Sequence, residues 1–297
     1  MKKYTCILVL ISLLLTSISI ANGSSKEVTM ELYFVFREPR IEKIQDIVRV
    51  TVAGLPNSNE YNKPRMPVKP VRVLLPQMTK VKDVRVIPST PEIIGSYKNI
   101  EVGSRIMPLQ QQAIAKKKIS ISHDSTAYPE NLFSIEGVYN FRGYPILYVN
   151  LYPVHYTPST GEIKFYRSMT LIVSLEKGDI SNNLFRGLER DDKIVRSFVD
   201  NPEIASIYNA KNSAEVGYLI ITSENFTKYS GEYNLQRFIE YKENKGLDVR
   251  IATVENITRD PILWNKTDIF NDTQAQIRNF IRYAYLNWNT DYVLLVG

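Results

Sequence analysis

Seven prolines fall between positions 56 and 91, at 56, 64, 67, 70, 76, 88 and 91. A proline ring fixes φ and removes a backbone donor. This density excludes a long helix and limits strands to short lengths with edges and bends. The flanking apolar residues agree. Val28, Met30, Leu32, Phe34 and Phe36 share one face, with Thr29, Glu31 and Tyr33 opposite. A period of two predicts a half-buried strand. Strand-like runs follow at 46–52, 71–75, 81–87, 144–152, 163–166 and 169–175. Between two of them, Thr157-Pro158-Ser159-Thr160-Gly161-Glu162 is a turn, because Pro158 presets a corner and Gly161 tolerates positive φ. The 19 tyrosines against 2 tryptophans suit half-buried sheet faces. Residues 22–176 therefore predict an all-β domain, an antiparallel β-sandwich.

Residues 177–214 are richer in Asn, Asp, Arg and Ser. One apolar patch, Ile194, Phe198 and Val199, precedes Asn201-Pro202. This reads as a connector with a short helix, and as the place where proteolytic nicking meets least buried backbone. From 215 to 297 the pattern changes to α/β. Gly217-Tyr218-Leu219-Ile220-Ile221-Thr222 is an apolar run suited to a strand buried on both faces. Ser230 is the expected N-cap of a helix over 231–245, with Leu235, Phe238 and Ile239 inward and Gly246 as its stop. A strand follows at 247–254. Thr273 and Gln276 form a capping box for a helix whose inner face is Ile277, Phe280, Ile281, Ala284, Tyr285 and Trp288. Residues 292–296 predict a third buried strand. Strand–helix–strand–helix–strand implies a parallel sheet with right-handed crossovers. Three strands are too few to close such a domain, so the α/β part is expected to be partial.

Residues 1–21 carry Lys2 and Lys3, an apolar stretch from Ile7 to Ile20 and small residues at Ser19 and Ala21. That order predicts a signal peptide cleaved after Ala21, with a retained anchor as the alternative reading. Cys6, the single cysteine, lies inside it. A chain starting at Asn22 would have no disulfide, no thiol nucleophile and no Cys-bound metal.

Several chemistries are disfavoured. The turn after Thr222 is Ser-Glu-Asn-Phe, without the glycines that let backbone approach a phosphate. His123 sits in a polar loop, and His155 beside the hairpin suits a structural role; no metal-ligand spacing joins them. No G-x-S-x-G elbow follows a strand. Asp191-Asp192 and Glu130 show no acid–base pairing in the sequence. The net charge of +6 is dispersed, and the dense run Lys116-Lys117-Lys118 reads as a solvated loop, so no nucleic-acid partner is expected. Sequons at Asn225, Asn256, Asn265 and Asn271 are candidate glycosylation sites, while Asn22 falls at the cleavage point.

Two stretches resemble gingipain-type cysteine peptidases of family C25, clan CD. In the first, the carrying residues are Asn62-Lys63-Pro64-Arg65-Met66-Pro67, Leu74-Leu75-Pro76, Tyr128-Pro129-Glu130, Phe141-Arg142-Gly143-Tyr144 and Val149-Asn150-Leu151-Tyr152-Pro153-Val154. They resemble the family's propeptide. In the second they are Gly217-Tyr218-Leu219-Ile220-Ile221-Thr222, Phe238-Ile239-Glu240-Tyr241-Lys242, Lys245-Gly246-Leu247-Asp248-Val249 and Asp291-Tyr292-Val293-Leu294-Leu295-Val296-Gly297. These resemble the opening of the catalytic domain.

The resemblance implies an all-β inhibitory propeptide ahead of a caspase-like, Rossmann-like three-layer α/β peptidase domain, secreted and activated by proteolysis. It implies a His–Cys dyad on later strands, so no catalytic residue is carried over and the 297 residues alone are expected to be inactive. It makes calcium possible, with no ligand set visible, and offers no other cofactor. The implied partner is the chain's own peptidase domain, with protein substrates for the full-length form and no membrane contact once the leader is removed. Arg142 and Arg105 are the candidate inhibitory residues, a basic side chain plugging the substrate cleft; the plainer role for Arg142 is to support the turn at Gly143. The rival reading is a secreted, non-enzymatic β-sandwich binding or adhesion module.

Overall fold

The computed structural model describes residues 18–20, 28–104, 127–178, 184–210, 212, 214–264 and 271–297. Lys2, Lys3, Cys6, Ala21, Asn22, Arg105, Lys116-Lys117-Lys118, His123 and Asn265 lie outside them. The chain divides into two compact units. One comprises Met1–Ser181 with Arg196–Ile207, the other Asn182–Val195 with Tyr208–Gly297.

The first unit is built on β1 (Ile18–Ile20), β2 (Val28–Val35), β3 (Arg40–Ile44), β4 (Ile47–Thr51), β5 (Lys69–Leu74), β6 (Thr79–Pro88), β7 (Glu92–Ser96), β8 (Phe133–Phe141), β9 (Tyr144–Leu151), β10 (Val154–Thr157), β11 (Glu162–Phe165) and β12 (Ser168–Lys177). These strands pair antiparallel. They form sheets ordered β1-β2-β12-β6, β5-β9-β8 and β10-β11-β7, with β3-β4 a separate hairpin.

The alternation in β2 has the expected effect. Met30, Leu32, Phe34 and Phe36 are buried while Glu31, Tyr33 and Val35 face out. Across the ladder, Leu171 stands opposite Leu32, Val173 opposite Met30 and Met169 opposite Phe34, all buried. Each such side chain contributes roughly 1.5–3 kcal/mol by leaving water. The prolines obey their constraint, since Pro70 and Pro88 lie on β5 and β6, which are edge strands. Gly161 in the β10–β11 turn has φ +75, and a Cβ there would come within 2.7 Å of the Tyr97 carbonyl oxygen. Strands β3, β7 and β8 carry no clean alternation, and their side chains are mostly exposed or half-buried.

The segment read as a connector is substantially packed. It holds α1 (Glu189–Phe198) and a 3-10 helix, Pro202–Tyr208. Val195 is the buried apolar residue of α1, whereas Ile194 is 38% exposed, which moves the predicted apolar face by one position.

The second unit contains β13 (Val216–Thr222), α2 (Glu224–Thr227), α3 (Leu235–Glu243), β14 (Leu247–Thr253), α4 (Val254–Arg259), α5 (Thr273–Asn287) and β15 (Thr290–Leu295). The sheet is parallel, in the order β14-β13-β15. Leu219 and Ile221 of β13 form a core with Ile257, Leu263 and Ala284, and Ile277, Phe280, Ile281 and Trp288 pack on it. Tyr218 of β13 meets Phe238 of α3, with ring centroids 6.1 Å apart.

Three expectations need correcting. The α3 cap is Asn234, whose side chain accepts from the Arg237 N–H, so residues 231–234 precede the helix. The α5 cap is Asp272, accepting from the Ala275 N–H at 2.7 Å. Gln276 instead donates to the carbonyl and side-chain oxygens of Asn271. An aspartate is a better N-cap acceptor than the threonine beside it. Finally, β15 is not a buried strand. Tyr292 is 56% and Leu295 64% exposed, because β15 borders the sheet and only β13 is flanked on both sides.

Candidate functional site

The order β14-β13-β15 puts the first strand of the second unit in the middle. The chain leaves β13 for β14 on one side and returns from β14 past β13 to β15 on the other, and the ends of β13 and β15 define the position where open α/β sheets bind ligands. An open cleft of about 470 Å³ lies there, bordered by Phe226, Tyr229 and Leu235, by Glu232 and Arg237, and by Val296 after β15. Arg237 donates to the Glu232 carbonyl oxygen at 3.1 Å. At the end of β13, Thr222 is fully buried and its Oγ1 has no hydrogen-bond partner among the described residues. The cleft offers aromatic walls with one charge of each sign, but no nucleophile beside a base.

Ahead of α1, Arg186 forms the densest polar centre described. Its side chain is 1% exposed, as is that of Asp191, and that of Asp291 is 7% exposed. Nε and Nη2 of Arg186 donate to the two Asp191 oxygens at 2.9 and 2.8 Å, a bidentate pair. Nη2 also donates to Asp291 at 2.7 Å. Nη1 donates to the carbonyls of Thr290 at 3.2 Å and Tyr285 at 3.5 Å. The guanidinium lies 4.0 Å from the centre of the Tyr285 ring. Arg190 adds bonds to Asp291 at 2.7 Å and to the carbonyls of Ala214 and Asn289. Burial works against the charge of Arg186, yet the hydrogen bonds it donates to Asp191 and Asp291 outweigh it and hold the group above its ordinary range. Burial likewise pushes Asp291 up, and the bonds and charge of Arg186 and Arg190 pull its carboxyl below the usual range.

The sequence reading gave Asp191 no partner. Its partners are five residues upstream in Arg186 and, through Arg186, far downstream in Asp291, and no local periodicity announces either.

The other half of the connector meets β5. Asp200 donates its N–H to the Arg72 carbonyl and accepts from the Arg72 N–H and from Lys69 Nζ, both at 2.8 Å. Asn201, 1% exposed, accepts from the Leu74 N–H at 2.7 Å and donates to the Leu74 carbonyl at 2.9 Å. Phe198 lies under the Arg72 guanidinium at 4.1 Å and beside Phe141 at 5.2 Å. The free edge of β5 is thus covered by the chain's own continuation, which removes a site for unwanted strand pairing.

Arg142 occupies the β8–β9 turn with φ +53, followed by Gly143 at φ +83, the two positive values of a two-residue hairpin. It is half-buried, and its guanidinium is 5.9 Å from the Phe141 ring. Asn225 on α2 and Asn256 on α4 are exposed, and Asn271 is half-buried. His155 is 6% exposed. Its Nε2 lies 3.1 Å from the Tyr152 carbonyl, and its ring meets Tyr166 edge-on at 5.4 Å. Burial lowers its imidazole below the ordinary range, against the opposing effect of the Tyr152 bond. Among the described residues no three carboxylate, histidine or cysteine side chains converge. No described helix is long and apolar enough to cross a membrane.

The family model of the C25 propeptide matches residues 47–195, just over half of the chain. The chain belongs to peptidase family C25. The model of the C25 peptidase itself matches residues 211–297, so this C25 chain carries the propeptide and the start of the catalytic domain in succession. Among solved structures, it is similar to a complex of the pro- and mature domains of RgpB from Porphyromonas gingivalis. That match has 18% identity and a TM-score of 0.47, over 63% of this chain and 96% of that one. A second, on the zymogenic latency of gingipain K from the same organism, has 16% identity and a TM-score of 0.42, over 55% of this chain and all of the other. No curated protein matched the chain.

Proposed function

We propose that this C25 chain belongs to a secreted cysteine endopeptidase precursor whose first unit chaperones and inhibits the peptidase part. The observation that carries this reading is the succession of propeptide and peptidase matches, 47–195 and then 211–297, in one chain. In this reading the first unit is a β-sandwich and the second is the beginning of a caspase-like domain. The leader is removed after Ala21, and the exposed Asn225 and Asn256 are the sequons best placed to carry glycans.

The 297 residues hold no cysteine beyond Cys6, and a covalent cysteine mechanism needs a thiolate beside a base. On their own they are expected to hydrolyse no peptide. A thiol-reagent-sensitive hydrolysis by the purified chain would overturn that.

Inhibition would place a basic side chain in the substrate cleft of the peptidase. Arg142 suits this by standing on a tight hairpin turn, and its contact with Phe141 preorganises it. Arg105 is the other candidate. The expected site limit is wider than residue 176, because Phe198, Asp200 and Asn201 bond to β5 of the propeptide unit. The test is to add residues 22–210 to an active C25 peptidase at micromolar concentration and follow peptide hydrolysis. Inhibition is expected, weakened by Arg142→Ala if that residue is the plug. Unimpaired hydrolysis would sink the inhibitor role.

A further inference from the structure

One side chain, Phe198 at the end of α1, reaches all three strands of the sheet β5-β9-β8. Arg72 of β5 stands opposite Tyr148 of β9, and Tyr148 opposite Gly137 of β8. Phe198 lies over this row. The Arg72 guanidinium is 4.1 Å from its ring centre, the Tyr148 ring is edge-on at 6.5 Å, and the Phe141 ring is tilted against it at 5.2 Å. Cation over face, edge to face and tilted ring are the arrangements that the aromatic quadrupole favours.

The backbone of Phe198 is held as firmly as its ring. Its carbonyl accepts from Arg72 Nη1 at 3.4 Å, and Asp200, two residues on, bonds both the N–H and the carbonyl of Arg72. The ring is therefore a fixed point on β5, and Phe141 leans on it. Phe141 and Tyr144 are the pair that closes the β8–β9 turn, with Arg142 and Gly143 between them. A two-residue turn takes its direction from its closing pair. Tyr144 is fully buried, so Phe141 is the half of that pair whose position depends on an added contact. The Arg142 guanidinium, 5.9 Å from the Phe141 ring, is next in line.

We infer that Phe198 is a positioning residue for the Arg142 turn: seated on Arg72, it fixes Phe141 and thereby the direction in which Arg142 is presented. Phe198 acts through Phe141 and is not itself a plug. This inference rests on the inhibitor reading of Arg142 for its biological meaning, whereas the ordering of the turn is tested without inhibition.

The experiment exposes the native full chain to trypsin and follows cutting of the Arg142–Gly143 bond by mass spectrometry. A protease reaches a tight hairpin only when it opens locally, so the rate reports the order of the turn. Slow cutting is expected for the wild-type sequence. Phe198→Ala is expected to speed it roughly tenfold, and Phe198→Tyr, which keeps the ring, to restore resistance. An unchanged rate in a folded Phe198→Ala chain would overturn the inference. Asn201→Ala is the control, since it loosens the same segment from β5 at Leu74 and leaves the ring in place. Equal acceleration by Asn201→Ala would make Phe198 merely structural and also overturn it. If Phe198→Ala does not fold, Phe198→Leu decides, because it keeps bulk and loses the ring; it must still speed cutting at Arg142. Added to an active C25 peptidase, the Phe198→Ala chain should inhibit roughly tenfold less well, with no further loss in an Arg142→Ala background. A full additional loss there would contradict action through Arg142. A wild-type chain that fails to inhibit sinks the inhibitor reading, and the tryptic rates still decide the positioning.

Discussion

Arg186 is fixed by charge, with two carboxylates within 2.9 Å, whereas Asn201 is fixed by a neutral amide that bonds the N–H and C=O of Leu74 at 2.7 and 2.9 Å. Both are nearly inaccessible to water and both lie in the stretch between the propeptide strands and the first peptidase strand. The amide copies a strand partner and satisfies one donor and one acceptor, so little desolvation is left uncompensated. The ion cluster takes three full charges out of water and holds only because each finds its complement. The neutral clasp should therefore yield gradually to substitution, while the charged one should fail abruptly when one partner is removed.

The sharpest break is expected from Asp291→Asn in the intact chain. Removing one carboxylate leaves Arg186 buried and under-compensated, at a cost of about 3–5 kcal/mol to the second unit. Denaturant unfolding followed at Trp288, which packs on the second unit's core, reads this directly. Asn201→Ala should cost the first unit about 1–3 kcal/mol, because the Leu74 N–H and C=O lose their partner in a buried place. Its effect should be confined to the first unit's transition. Equal losses in both units from either variant would show that the two clasps are not separate.

The pH response sharpens the contrast. His155 of the first unit stands opposite Lys164 in the β10–β11 register, with its charged form disfavoured by burial. A histidine whose folded pKa is lowered binds its proton more readily when unfolded. The first unit should thus be fully stable above a pH of about 6.5 and lose stability as the pH falls below it. His155→Gln should remove that dependence. Asp291 has a folded pKa below its unfolded one, so its contribution is present above about pH 4 and is lost only on further acidification. Melting curves between pH 7 and pH 5 should move the first unit's transition and leave the second's in place. The smallest effect belongs to Lys69→Met. Its pair with Asp200 is partly solvated, and about 0–1 kcal/mol is expected.

What could be read in the sequence follows from the range of the forces. The alternation of Met30, Leu32 and Phe34, the Gly161 turn and the face of α5 were legible, because each burial pattern repeats within a few residues. Strand β3 was not, since Arg40–Ile44 is nearly all exposed and is held by its ladder to β4. The α5 cap shifted by one residue because the adjacent Asp272 and Thr273 compete for the same amides and only geometry decides, whereas the α3 cap moved four residues, from Ser230 to Asn234. The Arg186 centre was invisible for a different reason. A charge in a polar segment looks solvated until its complement arrives from about a hundred residues away, as Asp291 does here. The same holds for Asn201 and Leu74. A stretch that composition marks as a linker is in fact part of two cores.

Amide hydrogen exchange across 184–208 in the uncut chain tests that claim most directly. Slow exchange is predicted at Glu189, Asp191 and Asp192 in one unit and at Asp200 and Ile204 in the other, all of which donate to backbone carbonyls. Exchange at the rate of an unstructured peptide throughout this stretch would contradict it.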